Sequence, residues 1–400
     1  MTALERRASG SLALVFAVRM LGLFLVLPVF SLEAARYPGG SDAALVGLAM
    51  GIYGLTQGLL QIPYGLASDR FGRKPVIVLG LLVFALGSFI AASADTLLGL
   101  TLGRALQGAG AISAAVTAML ADQTRDVVRT KAMALVGASI GLMFALSLVL
   151  APWLSARVGL AGLFVLTGAL ALMCIAVVCW WTPPAPAFAL PRQGGGMAAP
   201  QHNQGARLTQ PALLRMNLGV FVLHAVQLAM WVAAPGLLVR AGLAQPAHWQ
   251  VYLPAVLASF VVMGVILFPL ERRGYLRAVF LSSIALIALV QVGLWWAGAA
   301  PSLALLAVLL FVFFCAFNVL EASQPSLVSR LAPPQRRGAA LGIYNTLQSL
   351  GFFVGGAAGG WLVQHVGFGA LFMVNASLAG LWLLLAWPMR APQRDNLAPT

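Results

Sequence analysis

Residues Leu97 to Leu120 read LLGLTLGRALQGAGAISAAVTAML, apolar throughout except for Arg104 and Gln107. A stretch of this length and composition matches a helix that crosses a bilayer, for which roughly 20 residues suffice. A guanidinium in hydrocarbon is costly and persists where it faces a polar partner or a polar cavity. Arg19, His224 and Glu321 sit in similarly apolar company. Together these residues predict a membrane protein with a polar path through its middle.

The rest of the chain extends the pattern. It has 400 residues, 61% hydrophobic and 8% charged, too little charge to cover a soluble fold of this size. Apolar stretches lie near 11–31, 44–66, 76–95, 97–121, 132–153, 161–181, 214–235, 247–269, 277–297, 302–328, 339–363 and 368–387. Their apolar runs are continuous rather than alternating, which predicts helices and not a barrel. The first run is as long as the others and lacks a small-residue cleavage site, so it reads as a retained span.

With the N-terminus inside and twelve spans, 19 of the 24 basic residues fall on the inside and only Arg36, Arg157 and Arg240 outside. That asymmetry predicts both termini on the cytoplasmic side. The net charge of +14 is spread over the inside loops, which suits an anionic inner leaflet and argues against nucleic acid as a partner. Cys174, Cys179 and Cys315 all lie in apolar spans without metal-site spacing, and read as buried free thiols.

Residues 182–211 interrupt the hydrophobic pattern with Pro183, Pro184, Pro186, Pro191, Gly194, Gly195, Gly196, Pro200, Gly205 and Pro211. Such a segment packs no core and reads as a cytoplasmic linker. It divides the chain into a six-helix bundle over 1–181 and another over 212–400. The inside loops recur in order: SDRFGRKP (68–75) after span 2 answers ERRGYLR (271–277) after span 8. Arg129 and Lys131 after span 4 answer Arg336 and Arg337 after span 10. A six-plus-six parallel repeat is a transporter architecture.

The segment Gly65-Leu-Ala-Ser-Asp69-Arg70-Phe-Gly72-Arg73-Lys74 places one acid among three cations at the inside end of span 2. It resembles the signature loop of the major facilitator superfamily, G-x-x-x-D-R-x-G-R-[RK]. Span 4 carries Leu100-x-x-x-Arg104-x-x-Gln107-Gly108-x-Gly110-Ala111, which is similar to the motif of that family's twelve-span drug–proton antiporter branch. RMLG (19–22), IYGLTQ (52–57), GRALQG (103–108) and RTKAMA (129–134) look close to an inner-membrane group within this branch. Members of that group can carry a soluble C-terminal domain, which is not expected here because the chain ends soon after Trp387. Span 5 has Gly137, Gly141, Ser147, Ala151 and Pro152 but lacks the Gly-Pro pair that the branch favours.

The resemblance implies an all-α membrane fold of twelve helices in two pseudo-symmetric bundles. It also implies that Asp69, Arg73 and an acid at the inside end of span 4, here Asp122, form an inner-gate latch, with Asp69 near Gly338 at the start of span 11. Spans 1, 4, 7 and 10 line the central cavity in this family, and these four carry the embedded polar residues.

Span 1 has Arg19, and span 4 has Arg104 and Gln107. Span 7 has His224, Gln227 and Trp231 on one face, and span 10 has Asn318 and Glu321. Gln227 and Asn318 also suit hydrogen bonds between helices. Trp231 suits packing as well as a substrate platform, and His224 can be a satisfied core histidine. On span 2, Tyr53, Gln57 and Gln61 form a stripe that fits a cavity edge or a helix contact. His224 lies nine residues from Arg215 and Glu321 nine from Arg330, so each is roughly 13 Å deep at 1.5 Å per residue, and the two can meet.

The expectation is a monomeric secondary transporter of the plasma (inner) membrane. It exports small amphiphilic or hydrophobic compounds in exchange for protons by alternating access. Glu321 is expected to carry the proton, with His224 modulating it and Arg19 as counter-charge. No cofactor or metal is expected beyond the coupling proton. No G-x-x-x-x-G-K-[ST] loop is present to bind ATP, and no H-E-x-x-H helix suggests a membrane enzyme. The alternatives are proton-driven uptake or facilitated diffusion of a sugar or metabolite, and a non-transporting sensor.

Overall fold

Apolar segments in lipid must close their own backbone hydrogen bonds, and this chain does so as helices. The computed structural model describes residues 1–184, 209–333 and 336–389. Most of the linker lies outside the described residues, as do Arg192, Arg207, Arg390 and Arg394. Among the described residues there is no strand.

The chain divides into two units, Met1–Gly205 and Ala206–Thr400, and the division falls inside the Pro- and Gly-rich stretch. In the first unit, α1 (Ala3–Phe24) opens on Thr2, whose hydroxyl accepts from the Glu5 N–H in a capping box. It is followed by α2 (Leu27–Ala34), with Pro28 in its first turn. Next come α3 (Ala43–Phe71), α4 (Arg73–Ala92), α5 (Leu97–Ala109), α6 (Ser113–Asp122) and α7 (Asp126–Ala176). A π-helical turn over Val177–Trp181 ends the unit's helices. Leu12, Phe16, Ile77, Leu81, Ile112 and Met119 share one buried cluster.

The second unit contains α8 (Pro211–Arg240), α9 (Trp249–Arg272), α10 (Leu276–Ala297), α11 (Leu303–Leu331), α12 (Arg337–His365) and α13 (Phe368–Ala386). A 3-10 turn, Gln245–Ala247, links α8 to α9. α8 packs chiefly on α12, and α11 on α9 and α10.

Among the described residues, nine helices are long and apolar enough to cross a membrane, against twelve apolar stretches in the sequence. The differences have local causes. Stretch 97–121, expected as one helix, is corrected to two, because Gly110 leaves helical geometry (ψ 50°) between α5 and α6. Stretches 132–153 and 161–181 are two helices within α7 that meet at Gly159, whose φ of 64° and ψ of −173° are not helical. α12 has 29 residues, but Asn345, Gln348, Ser349 and repeated glycine dilute its hydropathy. A smaller break, at Leu25 and Val26, separates α1 from α2 within stretch 11–31.

Both units end their last helix in the same way. Lys74, at the start of α4, donates to the Thr182 carbonyl at 2.6 Å. Arg7 of α1 donates to the carbonyls of Trp181 and Trp180 at 2.7 and 3.2 Å. In the second unit Arg277, at the start of α10, donates to Met389 and Trp387 at 2.8 and 2.7 Å. The last carbonyls of a helix lack intrahelical partners and carry partial negative charge, which cations satisfy. Cys174 is buried and Cys315 half-buried, while Cys179 is exposed, correcting the expectation that all three are buried.

Candidate functional site

The loop between α3 and α4 is a single residue. Gly72 (φ 94°, ψ 151°) both ends α3 and starts α4, a backbone position that side-chain-bearing residues rarely adopt. This reversal turns Arg73 back towards the helix it has just left. Its Nη1 donates to Ser68 Oγ at 2.7 Å and to Asp69, and its Nε donates to Asp122 Oδ2 at 2.9 Å. One guanidinium thus ties together α3, α4 and α6. The Arg73 side chain is 10% exposed, while Asp69 is 56% and Asp122 39% exposed. Arg70 points outward over the Phe71 ring, and Gly65 brings α3 close to Ala114 of α6. The structure therefore brings Asp69, Arg73 and Asp122 into one cluster within the first unit.

Arg104 is 1% exposed, yet no acid meets it among the described residues. Its Nη1 donates to Gln107 Oε1 at 3.1 Å, its Nη2 to the Met50 carbonyl at 3.4 Å, and it lies 5.0 Å from the centre of the Tyr53 ring. Gln107 in turn donates to Ser88 Oγ at 2.7 Å. A carbonyl, an amide oxygen and a π face supply dispersed negative potential in place of a counter-ion. These partners belong to α3, α4 and α5. Arg104 and Gln107 therefore turn into the first unit, on contacts between its own helices. Gly108 belongs to the same contact: a Cβ there would overlap the Tyr53 carbonyl and the Thr56 hydroxyl of α3.

Arg19 is buried too, donating to Ser113 Oγ at 2.7 Å and to Gln57 Oε1 at 2.9 Å. Both partners are neutral side chains of its own unit.

In the second unit, His224 of α8 and Glu321 of α11 meet, with Nε2 3.2 Å from Oε2. The imidazole is 2% exposed and the carboxylate 39%. His224 Nδ1 lies 2.9 Å from the Val220 carbonyl, and Phe317 and Phe352 pack edge-on against its ring. Gln348 of α12 reaches both groups, its Nε2 2.8 Å from His224 Nε2 and 3.2 Å from Glu321 Oε1.

The other predicted residues are separate from this cluster. Asn318 Nδ2 donates to Ser259 Oγ of α9 at 2.8 Å, a helix-to-helix bond. Trp231 is fully buried and packs edge-on against Tyr252, 5.3 Å between centroids, as its packing reading expects. Gln227 is buried rather than open to a cavity, and its Oε1 has no hydrogen-bond partner among the described residues.

The major facilitator superfamily model matches residues 12–271 and 270–400. The chain belongs to this superfamily. It is 43% identical over 392 residues to the inner membrane transport protein YajR of Escherichia coli strain K12, covering 98% of this chain and 85% of that one. It is 27% identical to the multidrug resistance protein MdtH of Aeromonas salmonicida, over 93% of this chain and 89% of the relative. Among solved structures, the xylose transporter XylE of E. coli superposes with a TM-score of 0.74 at 15% identity, covering 97% of each chain. The fold is the major facilitator fold, and the protein is a multi-pass membrane transporter.

Several partners in this superfamily member escape the sequence patterns. Ser88 and Ser113 are single hydroxyls in apolar runs, and nothing in their spacing marks them as partners of Gln107 and Arg19. Gln348 has a signal, since Tyr344 and Gln348 repeat on α12 the i,i+4 pairing of Tyr53 and Gln57 on α3. Glu33 is buried at the end of α2, accepting from Ser155 Oγ at 2.8 Å and pairing with Arg36 at 3.1 Å.

Proposed function

We propose that this transporter is a proton-coupled exporter, an antiporter of small amphiphilic or hydrophobic compounds working by alternating access. It lies in the inner membrane with both termini cytoplasmic and acts as a monomer, without a cofactor. The observation that carries the reading is the contact between His224 and Glu321. A carboxylate set against an imidazole inside apolar helices can take up and release one proton as a unit. The half-exposed Glu321 exchanges that proton, and the buried His224 modulates it. The likeness to MdtH, whose name records multidrug resistance, supports export and amphiphilic cargo. The cluster of Asp69, Arg73 and Asp122 serves as the inner-gate element, and the inside-weighted cations support the orientation. A proton entering across 100 mV supplies about 2.3 kcal/mol from its charge alone.

The test is substrate-induced proton movement in reconstituted vesicles, followed with a pH dye. Glu321→Gln should abolish it while substrate binding stays measurable. Proton exchange at the wild-type rate in that variant would place coupling elsewhere.

A further inference from the structure

We infer that Gln348 is a positioning residue that fixes which partner of the His224–Glu321 pair holds the proton. The inference rests on the reading of that pair as the coupling site, and it follows from donor and acceptor geometry.

A backbone carbonyl can only accept, so the 2.9 Å contact between His224 Nδ1 and the Val220 carbonyl puts a hydrogen on Nδ1. The opposite nitrogen, Nε2, meets the amide nitrogen of Gln348 at 2.8 Å. That amide nitrogen carries two hydrogens and no lone pair available for acceptance, so Nε2 must accept. His224 is thereby held neutral, with its lone pair taken. The second amide hydrogen goes to Glu321 Oε1 at 3.2 Å. Reversing the amide would set its oxygen against the Glu321 carboxylate, acceptor against acceptor, and would leave Nε2 bonded only if it carried a hydrogen. The observed orientation suits a proton-accepting Glu321 beside a neutral imidazole.

Protonating Nε2 changes this arrangement. An imidazolium would face the Gln348 donor with a donor of its own at 2.8 Å. The amide would have to turn its oxygen to Nε2, leaving Glu321 to pair with the imidazolium across the 3.2 Å contact. The position of the proton and the orientation of one side chain on α12 are therefore linked. Gln348 biases the pair against the imidazolium–carboxylate state, which would otherwise trap the proton as an internal ion pair.

Few other groups compete for this role. From α12 the titratable neighbour is Tyr344, within electrostatic reach of Glu321. The ring of His224 is otherwise faced by Phe317 and Phe352. α13, packed on α8, contains no acid or base. α9 has no titratable residue between Tyr252 and Glu271, and α10 has only Arg277 at its start.

The experiment is nitrogen NMR of the purified full-length chain, labelled at histidine. Its four histidines are resolved by using His224→Gln to assign His224. In the wild type at pH 7, His224 should show a protonated Nδ1 and a bare Nε2. Gln348→Glu keeps the shape but replaces the donor with an acceptor, and His224 should then show both nitrogens protonated. Gln348→Met removes the donor without adding an acceptor, and should give a mixture that shifts towards double protonation as pH falls. If one variant does not fold, the other carries the test. A doubly protonated His224 in the wild type, or an unchanged His224 in the folded variants, overturns the inference.

A functional readout accompanies it: the pH profile of flux should move in Gln348→Met, which loss of packing alone would not cause. The NMR states are read without transport, so they stand or fall separately from the coupling role of Glu321.

Discussion

The two units bury charge in opposite ways. In the first, Arg19 and Arg104 are cations met only by neutral groups: a hydroxyl, two amide oxygens, a carbonyl and the face of Tyr53. In the second, an acid meets an imidazole, and an amide bridges both. A guanidinium holds its proton at any working pH, so the first arrangement is a fixed framework. A carboxylate and an imidazole can each gain or lose a proton, so the second arrangement can change state. On the proposed function, the first unit supplies scaffold and gate and the second the proton chemistry.

That comparison breaks most visibly at Arg104. Arg104→Ala strands Gln107 Oε1 in an apolar interior, at roughly 1–3 kcal/mol, while the Met50 carbonyl keeps its helical partner within α3. The Tyr53 contact is lost as well. Thermal unfolding in detergent should drop strongly, and flux with it. Arg104→Lys keeps the charge but loses the planar fork, and should fall between alanine and wild type. Equal stability of the three would remove Arg104 from the framework.

Asp69→Asn sharpens the division between framework and gate. Asp69 is more than half exposed, so solvent screens its pairing with Arg73, and stability should change by less than about 1 kcal/mol. Flux in proteoliposomes should nonetheless fall by roughly tenfold, a change of about 1.4 kcal/mol in the rate-limiting step. Wild-type flux would deny the cluster a gating role.

The smallest effect is expected at Asn318. Its bond to Ser259 joins two helices, and such bonds average about 0.6 kcal/mol in membranes. Ser259 Oγ keeps its own bond to the Val256 carbonyl at 2.6 Å. Asn318→Leu should therefore leave both flux and proton movement near wild type.

The sequence made some of this legible and hid the rest for physical reasons. Hydropathy marks where a helix crosses, because lipid penalises every polar interruption. Equal distances from Arg215 and Arg330 placed His224 and Glu321 at one depth, and depth along an axis is a one-dimensional quantity that sequence can carry. Direction around the axis is harder. The i,i+3 pairing of Arg104 and Gln107 identified a common face, but not that this face turns to Met50, Tyr53 and Ser88. The break at Gly110 was also hidden, because Gly-Ala-Ile between apolar neighbours reads as continuous helix. Gln348 lay in a span whose pairing with α8 no local pattern announces.

If coupling belongs to the second unit, the number of protons moved per substrate transported is set by Glu321 and not by the gate. Vesicles containing wild type, Asp69→Asn or Glu321→Gln would be compared with a pH dye and labelled substrate together. Asp69→Asn should transport slowly at the wild-type ratio, because a damaged gate slows both fluxes equally. Glu321→Gln should lose the proton component while still binding substrate. A wild-type ratio in Glu321→Gln, or a changed ratio in Asp69→Asn, would contradict the account.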